Sequence, residues 1–159
     1  MILSDLRDVI FKKDPRGIQH SELDCYLEDG SMTLGKYPHN SRWIKSSYGE
    51  ETLEKLKDGR ISCGGVTIGT QEGIEYYLRS MIEDEAGLGH PRYCGFFQAM
   101  HNDLIHTGKL NCRVVENEQG DVYTAGYTDG ILIKKHVIHD RKGHTPYIVH
   151  QYDRHIRTL

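Results

Sequence analysis

Ile61-Ser62-Cys63-Gly64-Gly65-Val66-Thr67-Ile68-Gly69-Thr70 is the stretch that decides the fold class. Its apolar and β-branched residues, at strand length, mark a buried strand. Three glycines interrupt it. Glycine inside a strand marks a bulge, a tight helix start, or the close approach of a ligand or another backbone. The stretch is no phosphate loop and no dinucleotide fingerprint, since it has neither G-K-[ST] nor G-x-G-x-x-G. Thr70 then has the chemistry of a helix cap. Residues 71–85 follow as a helix, with Ile74, Tyr77, Leu78, Met81 and Ile82 recurring on one face. A buried strand that runs into a capped amphipathic helix is the core unit of an α/β domain.

The pattern extends in both directions. Downstream, Gly87, Gly89 and Pro91 predict a loop, and residues 96–107 a second helix stopped by Gly108. Short strands are predicted over 113–115, 122–124, 131–138 and 146–149. Upstream, helical segments fall within 40–58, the first capped by Asn40 or Ser41 and the last stopped by Asp58-Gly59. Residues 22–28 read as a strand, and Asp14-Pro15-Arg16-Gly17 as a turn. The chain opens on Ile2-Leu3 and Val9-Ile10-Phe11, β-formers around the charged insertion Asp5-Leu6-Arg7-Asp8. The expectation is one domain over 1–159, a mixed sheet with flanking helices. A start so close to a charged strand end, without a lead-in, suggests part of a larger domain.

Composition narrows the function classes. With 159 residues, 37% hydrophobic and 27% charged, the chain can bury a core and has no disorder signature. A net charge of −3, with acids and bases interspersed, argues against a nucleic-acid partner. No apolar run approaches the roughly 20 residues of a membrane span. Cys25, Cys63, Cys94 and Cys112 show no C-x-x-C spacing, which argues against a zinc knuckle. They read as reduced thiols in a cytosolic setting.

Four segments carry candidate chemistry. Asp5 and Asp8 end a strand, where α/β sheets bind ligands, and hard divalent cations favour such carboxylates. The alternative is a solvated edge with an internal Asp–Arg pair through Arg7. Gly64 and Gly65 stand for close approach or for a bulge. Gln98, His101 and Asn102 share one helix face and form either a ligand-binding stripe or a satisfied core network. Ile148-Val149-His150-Gln151-Tyr152-Asp153-Arg154-His155 is an apolar strand that runs into dense site chemistry. Imidazole is a frequent metal ligand, and Asp and Arg hold hydroxyls or phosphates.

In this order the segments resemble one family. Leu3-Ser4-Asp5-Leu6-Arg7-Asp8-Val9-Ile10-Phe11 with Asp14-Pro15 resembles the D-x-R-D-V-x-F strand of certain GT-A-type nucleotide-sugar glycosyltransferases, which holds their acidic metal motif. Residues 61–70 are similar to the strand that presents small residues to the sugar donor. Gly95-Phe96-Phe97-Gln98-Ala99-Met100-His101-Asn102 resembles the G-x-D-Q-x-x-H-N helix, and Val149-His150-Gln151-Tyr152-Asp153-Arg154-His155 the closing V-H-Q-Y-D-R-H segment.

The resemblance implies a GT-A-like, Rossmann-related α/β fold of which this chain is the C-terminal part, without the N-terminal nucleotide-binding portion. It implies transfer of a sugar from a nucleotide-sugar donor to a carbohydrate or glycoconjugate acceptor. Mn2+ or Mg2+ would be held by Asp5, Asp8 and His150. Substrate would meet Arg7, Gly64, Gly65, Thr67, Gln98, Asn102, Gln151, Asp153 and Arg154. Phe97 stands where the family pattern has an acid. That departure points to a second possibility, a non-catalytic relative acting as a binding module.

Overall fold

The structure, a computed structural model, describes residues 1–89, 95–126, 128, 131–134 and 137–158. The expected strand over 61–70 is β4 (Ser62–Gly69), and every residue of it is buried. It lies inside a four-stranded sheet of order β1-β4-β3-β5, where β1 is Ile2–Ser4, β3 is Leu23–Leu27 and β5 is Arg113–Val115. β1 and β3 flank β4 antiparallel, and β5 joins β3 parallel. A second sheet has the order β2-β9-β6, with β2 (Val9–Phe11), β6 (Val122–Thr124) and β9 (Ile148–His150). Within it β2 is antiparallel and β6 parallel to β9. The expected mixed sheet is therefore two mixed sheets, and the charged insertion 5–8 is the crossing between them.

Helices flank the first sheet. α3 (Gln71–Gly87) starts where expected, with the Thr70 hydroxyl accepting a hydrogen bond from the Gly73 amide at 3.1 Å. Leu23, Cys25, Ile74, Tyr77, Met81, Phe96, Met100 and Leu104 make one core between that sheet and α3 and α4 (Phe96–His106). Two residues of the predicted apolar face stay in solvent: Leu78 and Ile82 are 38% and 64% exposed. Ile74, Tyr77 and Met81 already fill the strip that meets the sheet, and Leu78 and Ile82 stand on its flank. Tyr26, Val66, Ile68, Val122 and Ile148 form a second core between the two sheets. A third core joins Leu34, Ile44, Leu56, Ile61 and Ala99 under α1 (Pro38–Tyr48) and α2 (Glu50–Leu56).

Two expected details differ. The cap of α1 is Tyr37, with no side-chain cap bond, because Pro38 sits at the first helical position; Asn40 is buried inside the helix instead. Residues 131–138 are not one strand but an antiparallel pair, β7 (Leu132–Lys134) and β8 (Val137–His139). The loop expected at Pro91 lies outside the described residues. So does Cys94, while Cys25, Cys63 and Cys112 are free thiols. No helix among the described residues is long and apolar enough to cross a membrane.

Candidate metal centre

Asp5, Asp8 and His150 come together where the two sheets meet. The Asp5 amide bonds to the Gly65 carbonyl at 2.9 Å and so extends the β1–β4 pairing by one residue. Val9 pairs with His150, and the Asp8 carbonyl accepts from the Gln151 amide at 2.7 Å. One carboxylate thus hangs from the first sheet; the other, with the imidazole, hangs from the second. His150 Nε2 lies 3.3 Å from Asp5 Oδ2 and 3.7 Å from Asp8 Oδ1. One ligand atom from each of the three lies within 4.8 Å of the others. His150 and Asp8 are buried, while Asp5 opens to solvent.

The glycine pair of β4 makes the room. Pairing with β3 jumps from Cys25↔Thr67 to Tyr26↔Cys63, so a bulge falls on Gly64, Gly65 and Val66. A Cβ on Gly65 would lie 2.3 Å from the His150 ring and 2.8 Å from Asp5 Oδ2. A Cβ on Gly64 would meet Phe97 at 2.7 Å, on the other face of the strand. The close approach read from these glycines is to the imidazole and to an aromatic ring of the chain itself.

Behind the imidazole stands Cys63, its Sγ 3.1 Å from His150 Nδ1. Burial pushes the Cys63 thiol well up, so it stays protonated. Its sulfur can accept Nδ1–H at that distance. In that tautomer Nε2 is an acceptor that faces two carboxylates. Three converging acceptors need a shared cation, or a proton, to coexist. Burial also lowers the His150 pKa, against the opposing pull of Asp8 and Asp5, which favours the neutral, ligating ring. Two oxygens and one nitrogen suit Mn2+, and Mg2+ less well.

Glu28 is the functional candidate that sequence reasoning missed. It follows β3, half-buried, and burial pushes its carboxyl up to about 7 against the smaller downward effect of the Cys63 hydrogen bond. The signal was present: an acid at a strand end before a turn, the same logic that singled out Asp5. Glu28 also lines a cavity of about 350 Å3 with Tyr37, Asn40, Trp43, Gln98, Gln151 and Arg154. Gln151 enters it with a φ of 55°, rare for a residue with a side chain.

The other predicted residues divide. Gln98 and Asn102 are engaged with β4. The Gln98 amide accepts from the Gly64 N–H at 3.0 Å and donates to the Ser62 carbonyl at 2.7 Å. Asn102 accepts from the Ser62 amide at 2.8 Å and donates to the Ser62 carbonyl at 2.9 Å. Asn102 is fully buried, as the satisfied-network alternative expects, whereas Gln98 still shows a flank to the cavity. His101 lies buried between the Ser62 hydroxyl at 3.0 Å and the Tyr77 hydroxyl at 2.9 Å. Burial takes its pKa down to about 3. Thr67 is fully buried on the α3 side, away from the three ligands. Arg7 pairs with Asp153 at 3.5 Å rather than with Asp5 or Asp8, and Arg154 pairs with the same carboxylate at 3.1 Å. Together they edge the centre with charge.

Compared with protein-family models, with curated proteins and with solved structures, the chain gives no match.

Proposed function

We propose that this mixed α/β chain is a metal-dependent glycosyltransferase domain of GT-A type, moving a sugar from a nucleotide-sugar donor to a hydroxyl-bearing acceptor. The observation that carries the reading is the meeting of Asp5 and Asp8 with His150, which lies 145 residues beyond Asp5. These are the residues that the resemblance nominated from two separate motifs. A nucleoside diphosphate leaves poorly unless its charge is offset, and Mn2+ or Mg2+ in the centre would supply that offset. Asp8 and His150 hold their side of the centre away from bulk water, which strengthens each electrostatic contact made there. Asp5, on the open side, would be the ligand free to share such a cation with a phosphate-bearing substrate. Arg154, once drawn from Asp153, would offer a cation to a phosphate at the rim.

A second reading is a binding module without catalysis. Phe97 favours it, since an apolar ring, 43% exposed over Gly64, stands where the resembled helix carries an acid. Calorimetry separates the two. We expect UDP-glucose or GDP-mannose to bind only with Mn2+ present, and His150→Ala to abolish the binding. Binding of the nucleotide sugar that ignores both Mn2+ and the substitution would sink the metal-dependent reading, and intact binding without turnover would favour the module.

A further inference from the structure

Two of the free thiols stand side by side across the first sheet. β3 and β5 run parallel, with Asp24 opposite Arg113 and Cys25 opposite Val114. That register, carried one residue back, puts Cys112 beside Leu23. Side chains alternate along a strand, so Leu23, Cys25 and Cys112 share one face, the one covered by α3 and α4. Cys25 is fully buried in that core, and Cys112 packs against it, half-buried at the rim. The alignment is held from the other face. There the buried Asp24 carboxylate accepts two hydrogen bonds from the Arg113 guanidinium, one from Nε at 2.8 Å and one from Nη2. The two thiols also act on one another. The Cys112 thiol, and then burial, pushes Cys25 far above the ordinary thiol range. Cys25 in turn draws Cys112 below it, against burial and the charge of Asp24. An accessible sulfur that ionises readily, beside a shielded one that keeps its proton, is the arrangement of an attacking and a resolving thiol.

A single buried cysteine packs as a small hydrophobe. A pair on adjacent strands, one of them open to solvent, has a further chemistry. We propose that Cys25 and Cys112 are a modification site, closing to a reversible disulfide when a hydroperoxide oxidises the folded chain. Cys112, as the thiolate, attacks one peroxide oxygen. The S–O bond forms, the O–O bond breaks, and hydroxide leaves with the electron pair and takes up the proton that Cys112 released. The Cys25 sulfur then attacks the sulfur of the resulting sulfenic acid. The S–S bond forms, the S–O bond breaks, and the oxygen leaves as water with the Cys25 proton. The two thiols together lose two electrons, and the peroxide gains them. A dithiol reductant reverses the change by exchange. Cys112 lies just outside the paired stretch of β5, so its backbone can settle at the roughly 5.5–6 Å Cα spacing that a disulfide takes. The bond ties β5 to the last residue of β3 before the register jump against β4.

Peptide mapping of the native chain tests the pair. The folded protein is treated with hydrogen peroxide at neutral pH, the remaining thiols are alkylated in denaturant, and the digest is read by mass spectrometry. We expect one dominant linked peptide pair, carrying Cys25 and Cys112, with Cys63 alkylated and with full reversal by dithiothreitol. The linked chain should melt roughly 5–10 °C above the reduced one, because closing the long loop between residues 25 and 112 constrains the unfolded chain. Cys25→Ala should leave Cys112 as a sulfenic acid that dimedone traps. Cys112→Ser should leave Cys25 unmodified, shielded by its burial. If Cys25→Ala fails to fold, Cys112→Ser and the wild-type map carry the test. Four results overturn the inference: Cys112 linked to Cys63 or Cys94 instead, Cys112 overoxidised to sulfinic acid while Cys25 stays free, a link that forms only in the unfolded chain, or a link that fails to raise the melting temperature. None of these readouts uses a metal or a nucleotide sugar, so the thiol pair and the transferase reading stand or fall separately.

Discussion

Glu28 and His101 are both half of an acid–base story at opposite ends of Ser62-Cys63, and burial drives them in opposite directions. For Glu28 the folded carboxyl is raised from 4.5 to about 7, so the neutral acid is favoured by folding. Its contribution is full below pH 4.5 and is lost as pH rises through about 7. For His101 the folded value drops from 6.5 to about 3, so the neutral ring is favoured. Its contribution is present above pH 6.5 and is lost as pH falls toward about 3. The two slopes oppose each other in mildly acidic solution, so the wild-type stability curve alone conceals them. Glu28→Gln removes one. Relative to wild type, the variant should gain stability steadily between pH 4.5 and about 7, by about 3 kcal/mol at most, and by no more above that. Denaturant melts across that range check it, and a pH-independent difference would mean that Glu28 titrates as an exposed acid does.

At the scale of the element, the bulge in β4 does the positioning. By placing extra residues opposite β3, it changes which face the strand presents, so that Gly64 faces α4 while Gly65 and Val66 face the second sheet. Gly65→Ala puts a methyl group 2.3 Å from the imidazole of His150, a ring closed in on its other side by Cys63. It should lower Mn2+ affinity at least about tenfold. Gly64→Ala meets first the far edge of exposed Phe97, which can swing aside, and should leave Mn2+ affinity unchanged. Equal losses in the two variants, by calorimetry, would count against the bulge as the positioning device. This element also marks where sequence reading stops. The strand, the Thr70 cap and the α3 face of Ile74, Tyr77 and Met81 were legible because each rests on local periodicity or a short-range hydrogen bond. Asp5, Asp8 and His150 were legible as chemistry at strand ends. Cys63 was not, because its role depends on a register shift, and no local pattern states which face a residue takes beside a bulge; Glu28 carried the strand-end signal and was passed over. For Asn102 the sequence left a ligand stripe and a satisfied network both open, because a polar side chain reads the same whether it faces a ligand or the backbone of a neighbouring strand.

Across the whole molecule, the centre joins two sheets that otherwise meet through the apolar layer of Tyr26, Val66, Ile68, Val122 and Ile148. A cation that binds only the folded chain adds stability by mass action, about 2.7 kcal/mol at 100 times its Kd. For a domain of 159 residues that is a rise in Tm of roughly 5–10 °C. Thermal melts with and without Mn2+ should show it, and Asp8→Ala and His150→Ala should remove it. A rise that persists in both variants would move the ion elsewhere. Asp5 belongs to one sheet and His150 to the other, and 145 residues of chain separate them. Bringing two points so far apart along a chain into contact has a large entropic cost that every folding event must meet. An ion held by Asp5 and His150 would therefore make its concentration a mechanical setting of this fold: it would fix the fraction of time in which the two sheets are riveted together, and with it how often the seam between them opens.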